Sequence, residues 1–133
     1  MSSGELTART LAEMYLARVE QIDRQGPSLN SVIGLDPDAL ATADALDSER
    51  EAGSIRGSLH GIPVMLKDNI DTADQMTTTA GSLALQGSIA PQDAFVARQL
   101  RPPPAVILTR HKPERVKKTR LSSKKRASQQ NPT

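Results

Sequence analysis

Lys67, Asp68 and Asn69 follow directly on the apolar run Val64-Met65-Leu66, and a hydroxyl-rich stretch, Thr77-Thr78-Thr79-Ala80-Gly81-Ser82, comes shortly after. An amine at the end of a strand can shuttle protons if it is neutral. Lysine is ordinarily protonated near pH 7, and an apolar setting favours its neutral form. Strand ends and the loops after them are where α/β proteins carry their chemistry. From spacing alone, Lys67 reads as a surface lysine at a strand end. Asp68, Asp71 and Asp74 read as solvated or turn-forming, and Thr78, Thr79, Gly81 and Ser82 as an ordinary loop. His60 reads as a loop or packing histidine. No second group of ligand-type residues accompanies it, so no metal is expected.

Several elements must position these residues. Leu11, Met14, Tyr15, Val19 and Ile22 recur at spacings of three and four, which predicts a helix burying that face. Arg9, Glu13, Arg18, Glu20 and Asp23 lie largely off it. Thr7 suits its N-cap and Gly26-Pro27 its stop. Val32 to Leu35 reads as a short strand. Asp36-Pro37 opens a second helix, with Asp36 as N-cap, Pro37 in the first turn and an end near Glu51, before Gly53. Gly61 and Pro63 feed a short buried strand over Val64 to Leu66. Leu83 to Leu85 starts a short helix, and Asp93 caps another running through Phe95, Val96 and Leu100. Ala105 to Leu108 is the next strand, and this alternation is the rhythm of an α/β fold.

The charge is split. Residues 1–100 hold 7 Lys+Arg and 14 Asp+Glu, whereas residues 101–133 hold 10 basic residues and one acid, Glu114. The expected organisation is a body over residues 1–108 and a basic, disordered tail over residues 109–133. Lys117-Lys118 and Lys124-Lys125-Arg126 could attract nucleic-acid phosphates. No aromatic residue stands there to stack on bases, so a solvated tail is the expected reading and nucleic acid is not an expected partner. The absence of Cys excludes disulfides and thiolate chemistry. No apolar run reaches the roughly 20 residues of a membrane span, and the N-terminus has no secretory h-region. A soluble, cytoplasmic protein with no membrane partner is expected. With one Tyr, one Phe and no Trp, any core must rest on aliphatic side chains.

The stretch from Gly57 to Leu85 resembles the amidase-signature family, whose relatives include A subunits of glutamyl-tRNA amidotransferase. The matching pieces are Leu59-His60-Gly61-Ile62-Pro63, Leu66-Lys67-Asp68-Asn69 and Thr78-Thr79-Ala80-Gly81-Ser82. The resemblance covers roughly residues 5–108. Thr77 departs from it, since relatives often have Pro there. It implies the N-terminal portion of an α/β fold, a mixed sheet covered by helices. It also implies hydrolysis of small-molecule amides by a Ser-cisSer-Lys mechanism without metal or organic cofactor. Lys67 would be the catalytic base, Asp68 its structural neighbour, and Thr78, Thr79, Gly81 and Ser82 a wall of the substrate site.

In the family the two serines lie in a Gly/Ser-rich segment well downstream of the lysine. No such run follows Ser82 here, and the serine roles are not carried onto Ser122, Ser123 or Ser128. A chain truncated before the catalytic serines and inactive alone is expected. The codons of Lys112-Pro113-Glu114-Arg115, read one base later, can spell the family's Asn-Leu-Ser-Glu. That suggests a frameshift or missed intron, an idea that falls if the shifted coding frame holds no amidase-like continuation. The alternatives are a non-catalytic binding module that uses the acidic body, and nucleic-acid binding through the basic tail.

Overall fold

Helix α1 (Ala8–Arg18) starts where Thr7 leaves the extended region and its Oγ1 accepts the Thr10 N–H at 3.0 Å. The computed structural model describes residues 5–101 and 104–111. The carboxylate of Asp47 accepts the N–H groups of Ala8 and Arg9 at 2.7 and 2.9 Å. It thus satisfies two donors at a helix N-terminus that also favours negative charge. The buried face of α1 is Ala8 and Ala12, with Leu16 packed beside them. This differs from the expected stripe, for Met14 and Tyr15 are 56% and 50% exposed. The contact is made by small residues four apart, which let α1 approach Ala39, Ala43 and Leu46 closely. A search for large apolar residues passes over such a face.

The chain continues as a π-helical turn, Val19–Gln25, and stops at Gly26 as expected. A Cβ on Gly26 would lie 2.5 Å from the Gln21 carbonyl oxygen, so glycine is required there. Asp23 is buried rather than solvated. Its carboxylate takes the N–H groups of Ser31 and Val32, at 2.7 and 3.1 Å, and the Ser31 hydroxyl. This ties the loop back to strand β1 (Val32–Leu35).

Helix α2 (Ala39–Glu51) begins two residues later than the expected Pro37. Asp36 does not cap it directly. Its Oδ1 accepts the Asp38 N–H at 3.0 Å and its carbonyl the Ala39 N–H at 3.3 Å, a local turn that feeds the helix. Gly53, at φ +78°, follows the helix end as expected.

Strands β2 (Pro63–Lys67) and β3 (Val106–His111) complete a sheet of order β1-β3-β2. β1 is antiparallel to β3, and β2 is parallel to it with Lys67 opposite His111. Val106 and Leu108 of β3 face α1 and α2, while Ile107 joins Leu66, Met76 and Ala97 in a second core. Ala97 belongs to the short helix α3 (Phe95–Leu100), and a 3-10 turn spans Leu83–Leu85. The central strand β3 is therefore covered on both faces. β3 runs three residues past its expected end at Leu108, so Thr109, Arg110 and His111 belong to the sheet rather than to a tail. Thr109 and Arg110 are buried in this central strand, whose ladders to β1 and β2 each carry a register shift. Residues 112–133, with the expected tail and its basic clusters, lie outside the described residues.

Asp93 does not cap α3, whose N-cap is Ala94 without a side-chain bond. It instead accepts the Ala73 N–H at 2.8 Å and a bidentate pair from Arg101 at 2.6 and 2.9 Å. The Arg101 guanidinium holds the Asp93 carboxyl below its ordinary value of 3.8. A lowered carboxyl stabilises the fold above its unfolded pKa, and that contribution is lost as pH falls through the folded value. Burial raises the Asp36 carboxyl, which has the opposite sign. Asp93→Asn is therefore expected to lower the urea midpoint near pH 6 and to converge on the parent between roughly pH 4 and pH 2. A constant gap across that range would contradict the assignment.

Candidate functional site

Lys67 is the last residue of β2, and the backbone around it is fastened at several points. Its carbonyl accepts the Ile70 N–H at 3.0 Å and Arg110 Nη1 at 3.4 Å. The next N–H, that of Asp68, donates to the His111 carbonyl at 3.1 Å. Lys67 itself is half-buried. Strand β2 is an edge strand, and Met65 is 47% exposed, so the expected buried strand is covered at Leu66 but open at Met65. Among the described residues no carboxylate lies within ion-pair distance of the Lys67 ammonium.

Asp68 organises the loop that follows. It is 1% exposed. Its Oδ1 accepts the Thr79 N–H at 3.2 Å, its Oδ2 accepts the Thr79 hydroxyl, and its carbonyl accepts the Ala80 N–H at 2.9 Å. Thr79 to Ser82 form a tight turn closed by the Ser82 N–H on the Thr79 carbonyl at 2.8 Å. Ala80 and Gly81 have φ of 50° and 76°, the signs a type I′ turn requires. The Gly81 N–H donates to Thr79 Oγ1 at 3.2 Å. The four N–H groups from Thr79 to Ser82 are therefore all engaged within the protein, and this turn has none left to stabilise an oxyanion.

The four residues expected as a substrate wall divide into two pairs. Thr78 is buried, its N–H on the Ser88 carbonyl at 2.9 Å and its hydroxyl 3.5 Å from Arg110 Nη2. The Thr79 hydroxyl is turned to Asp68. Gly81 and Ser82 are exposed. The first pair fixes the loop, and the second presents it.

Arg110 escaped the sequence reading because it follows the last apolar residue of its strand and opens a basic run. It is 1% exposed. Its Nη1 donates to the Ile70 carbonyl and its Nη2 to the Thr72 hydroxyl, so one guanidinium joins both ends of the Lys67-to-Thr72 turn to Thr78. A β-rich tetrapeptide running into Arg-His was the available signal. Beside it, a cavity of about 210 Å³ is lined by Gly34, Asp68, Met76, Thr77 and Arg110 among others. Lys67 does not line it, so this space is not the place where the Lys67 amine would react.

His60 is structural. It is 2% exposed, Nδ1 accepts the Arg56 N–H at 3.2 Å and Nε2 lies 2.9 Å from the Leu46 carbonyl. The neutral Nε2–H tautomer satisfies both contacts. Among the described residues no group of three or more His, Asp or Glu side chains is placed to hold a metal ion, and no helix is long and apolar enough to cross a membrane.

The fold that carries this strand end and turn is similar to that of known proteins. The chain belongs to the amidase family, whose model matches residues 10–113. It is 50% identical over 107 residues to an amidase-named protein of Schizosaccharomyces pombe, an alignment covering 80% of this chain and 18% of that protein. It is 42% identical over 109 residues to the glutamyl-tRNA(Gln) amidotransferase A subunit of Streptomyces coelicolor, covering 81% and 21%. Among solved structures, the native peptide amidase from Stenotrophomonas maltophilia matches with a TM-score of 0.78 at 51% identity, over 84% of this chain and 22% of that one. The fold is thus the N-terminal portion of the amidase-signature α/β fold. The chain spans about a fifth of the length of the relatives it matches.

Proposed function

We propose that the chain is the lysine-bearing segment of an amide-bond hydrolase acting on small-molecule amides, with Lys67 as the general base. One observation carries this reading. The Lys67 carbonyl and the loop that follows it are fastened by Arg110 and Asp68, while the amine meets no carboxylate among the described residues. A carboxylate partner would hold the amine in its charged form, which cannot accept a proton. The neutral amine would take a proton through a bridging serine as the nucleophilic serine oxygen attacks the amide carbonyl. The proton then passes to the leaving nitrogen as the C–N bond breaks, and water releases the acyl-serine. Gly81 and Ser82 would border the substrate.

Among the described residues no serine is hydrogen-bonded to Lys67, and the reading takes both serines from outside the described residues. The purified 133-residue polypeptide is therefore expected to show no turnover of simple aryl and alkyl amides, with or without Lys67→Ala. Turnover that survives Lys67→Ala would overturn the role of Lys67. Turnover that vanishes with it would show that a serine of this chain serves as nucleophile.

A further inference from the structure

His60 stands just ahead of β2, and both nitrogens of its ring are committed. Nε2 lies 2.9 Å from the Leu46 carbonyl on α2, which can only accept, so Nε2 carries the proton. Nδ1 is then the acceptor of the Arg56 N–H at 3.2 Å. A second proton, on Nδ1, would set an N–H against an N–H. His60 is also 2% exposed, and a charge buried without a partner is costly. Its charged neighbours do not favour an imidazolium. Arg50 of α2 donates to the His60 carbonyl at 2.6 Å. Glu49, also of α2, is taken by the Arg56 guanidinium at 2.7 and 2.9 Å. Among the described residues no carboxylate lies within ion-pair distance of the ring.

The segment that this ring holds has few other ties. Residues 53–58 are exposed, and a surface ion pair such as Arg56–Glu49 holds little. Gly53 and Gly57, at φ 78° and 119°, sit in conformations that glycine enters freely and can serve as hinges. Beyond His60 the chain is fixed again. The Gly61 N–H donates to the Pro104 carbonyl and the Ile62 carbonyl accepts the Val106 N–H, each at 2.9 Å. We propose that His60 is an acid-sensitive latch. Neutral, its ring fastens residues 53–59 to α2. Protonated on Nδ1, it drops the Arg56 N–H and moves to water with that segment, while β2 stays in the sheet. The latch uses neither Lys67 nor a serine, and it goes beyond the reading of Lys67 as a base.

The test follows the full 133-residue chain by NMR from about pH 8 to about pH 5, the span in which histidine changes charge. The imidazole nitrogen shifts report the His60 proton, and the Arg56 amide reports the latch. Both are expected to change with one midpoint. Hydrogen exchange at the Arg56 amide, corrected for the intrinsic effect of pH, is expected to quicken at least about tenfold on the acid side. Amides of α1 and β3 are expected to keep their protection. His60→Gln keeps a donor for the Leu46 carbonyl and takes no proton, so its corrected Arg56 exchange is expected to be independent of pH. His111→Gln removes the chain's other histidine and is expected to behave as the parent. An Arg56 amide that stays unmoved while His60 charges, separate midpoints, the same acid response in His60→Gln, or simultaneous opening of α1 and β3 would each overturn the latch. The comparison of midpoints needs no variant, so it decides the matter if His60→Gln does not fold.

Discussion

Replacing Asp68 with Ala is expected to destabilise the folded body by about 4 kcal/mol, read as a shift of the urea midpoint. The Asp68 carboxylate is buried and accepts both the N–H and the hydroxyl of Thr79. Hydrogen bonds to charged groups contribute about 1.5–3 kcal/mol each, and Ala leaves both donors without their partner. The turn they hold is itself costly, because Ala80 sits at φ 50°. A non-glycine residue in that region costs about 1–2 kcal/mol, so the turn persists only while its neighbours over-determine it. Asp68→Asn keeps an acceptor for the Thr79 N–H and is expected to lose about half as much. Hydrogen exchange should quicken at Thr79, Ala80 and Gly81 in the Ala variant before it quickens in α1 or α2. If both variants lay within about 0.5 kcal/mol of the parent, the effect expected of a neutral surface change, Asp68 would not be the clamp.

Asp68 also shows where the sequence was legible and where it was not. Its place beside a strand-end lysine could be read from the apolar run before it, and a polar loop over Thr77 to Ser82 from composition. That the two are bonded is a contact across 11 residues, which no local pattern encodes. The strands over Val32–Leu35 and after Pro63 were readable because short apolar runs between turn residues have few alternatives. The faces were less so. α1 buries alanines and exposes Met14 and Tyr15, because close helix packing selects for small size, whereas a hydrophobic pattern ranks residues by bulk. Asp36 and Asp93 looked like N-caps on composition. One makes a turn ahead of its helix, and the other gives its charge to Arg101, a partner the local sequence does not indicate. The resemblance to amidases came through most clearly, since it rests on an ordered string of residues rather than on where each side chain points.

Arg110→Ala should have an effect of similar size, for a different reason. The guanidinium is buried, and among the described residues it has no carboxylate partner. Its Nε is buried without a hydrogen bond. Burying a charge in this way is expensive, so its neighbours must return the cost. They do so through the Ile70 carbonyl and the Thr72 hydroxyl, with weaker contacts to the Lys67 carbonyl and Thr78 hydroxyl. Truncation to Ala removes these bonds and opens a cavity beside Gly34, whose nearest side-chain neighbours are Arg110 Cβ and Cγ. A loss of about 3–5 kcal/mol is expected in urea unfolding. Arg110→Met separates the two contributions. It keeps most of the volume, removes the charge and its desolvation cost, and leaves the acceptors unpaired. A loss of about 1–2 kcal/mol is expected, because the relief of the charge offsets part of the lost bonding. If Met were as damaging as Ala, the hydrogen bonds rather than the packing would hold the Lys67 turn. If Met were more stable than the parent, Arg110 would be a net cost to the fold. Retaining it would then have to be explained by the position it gives the Lys67 carbonyl.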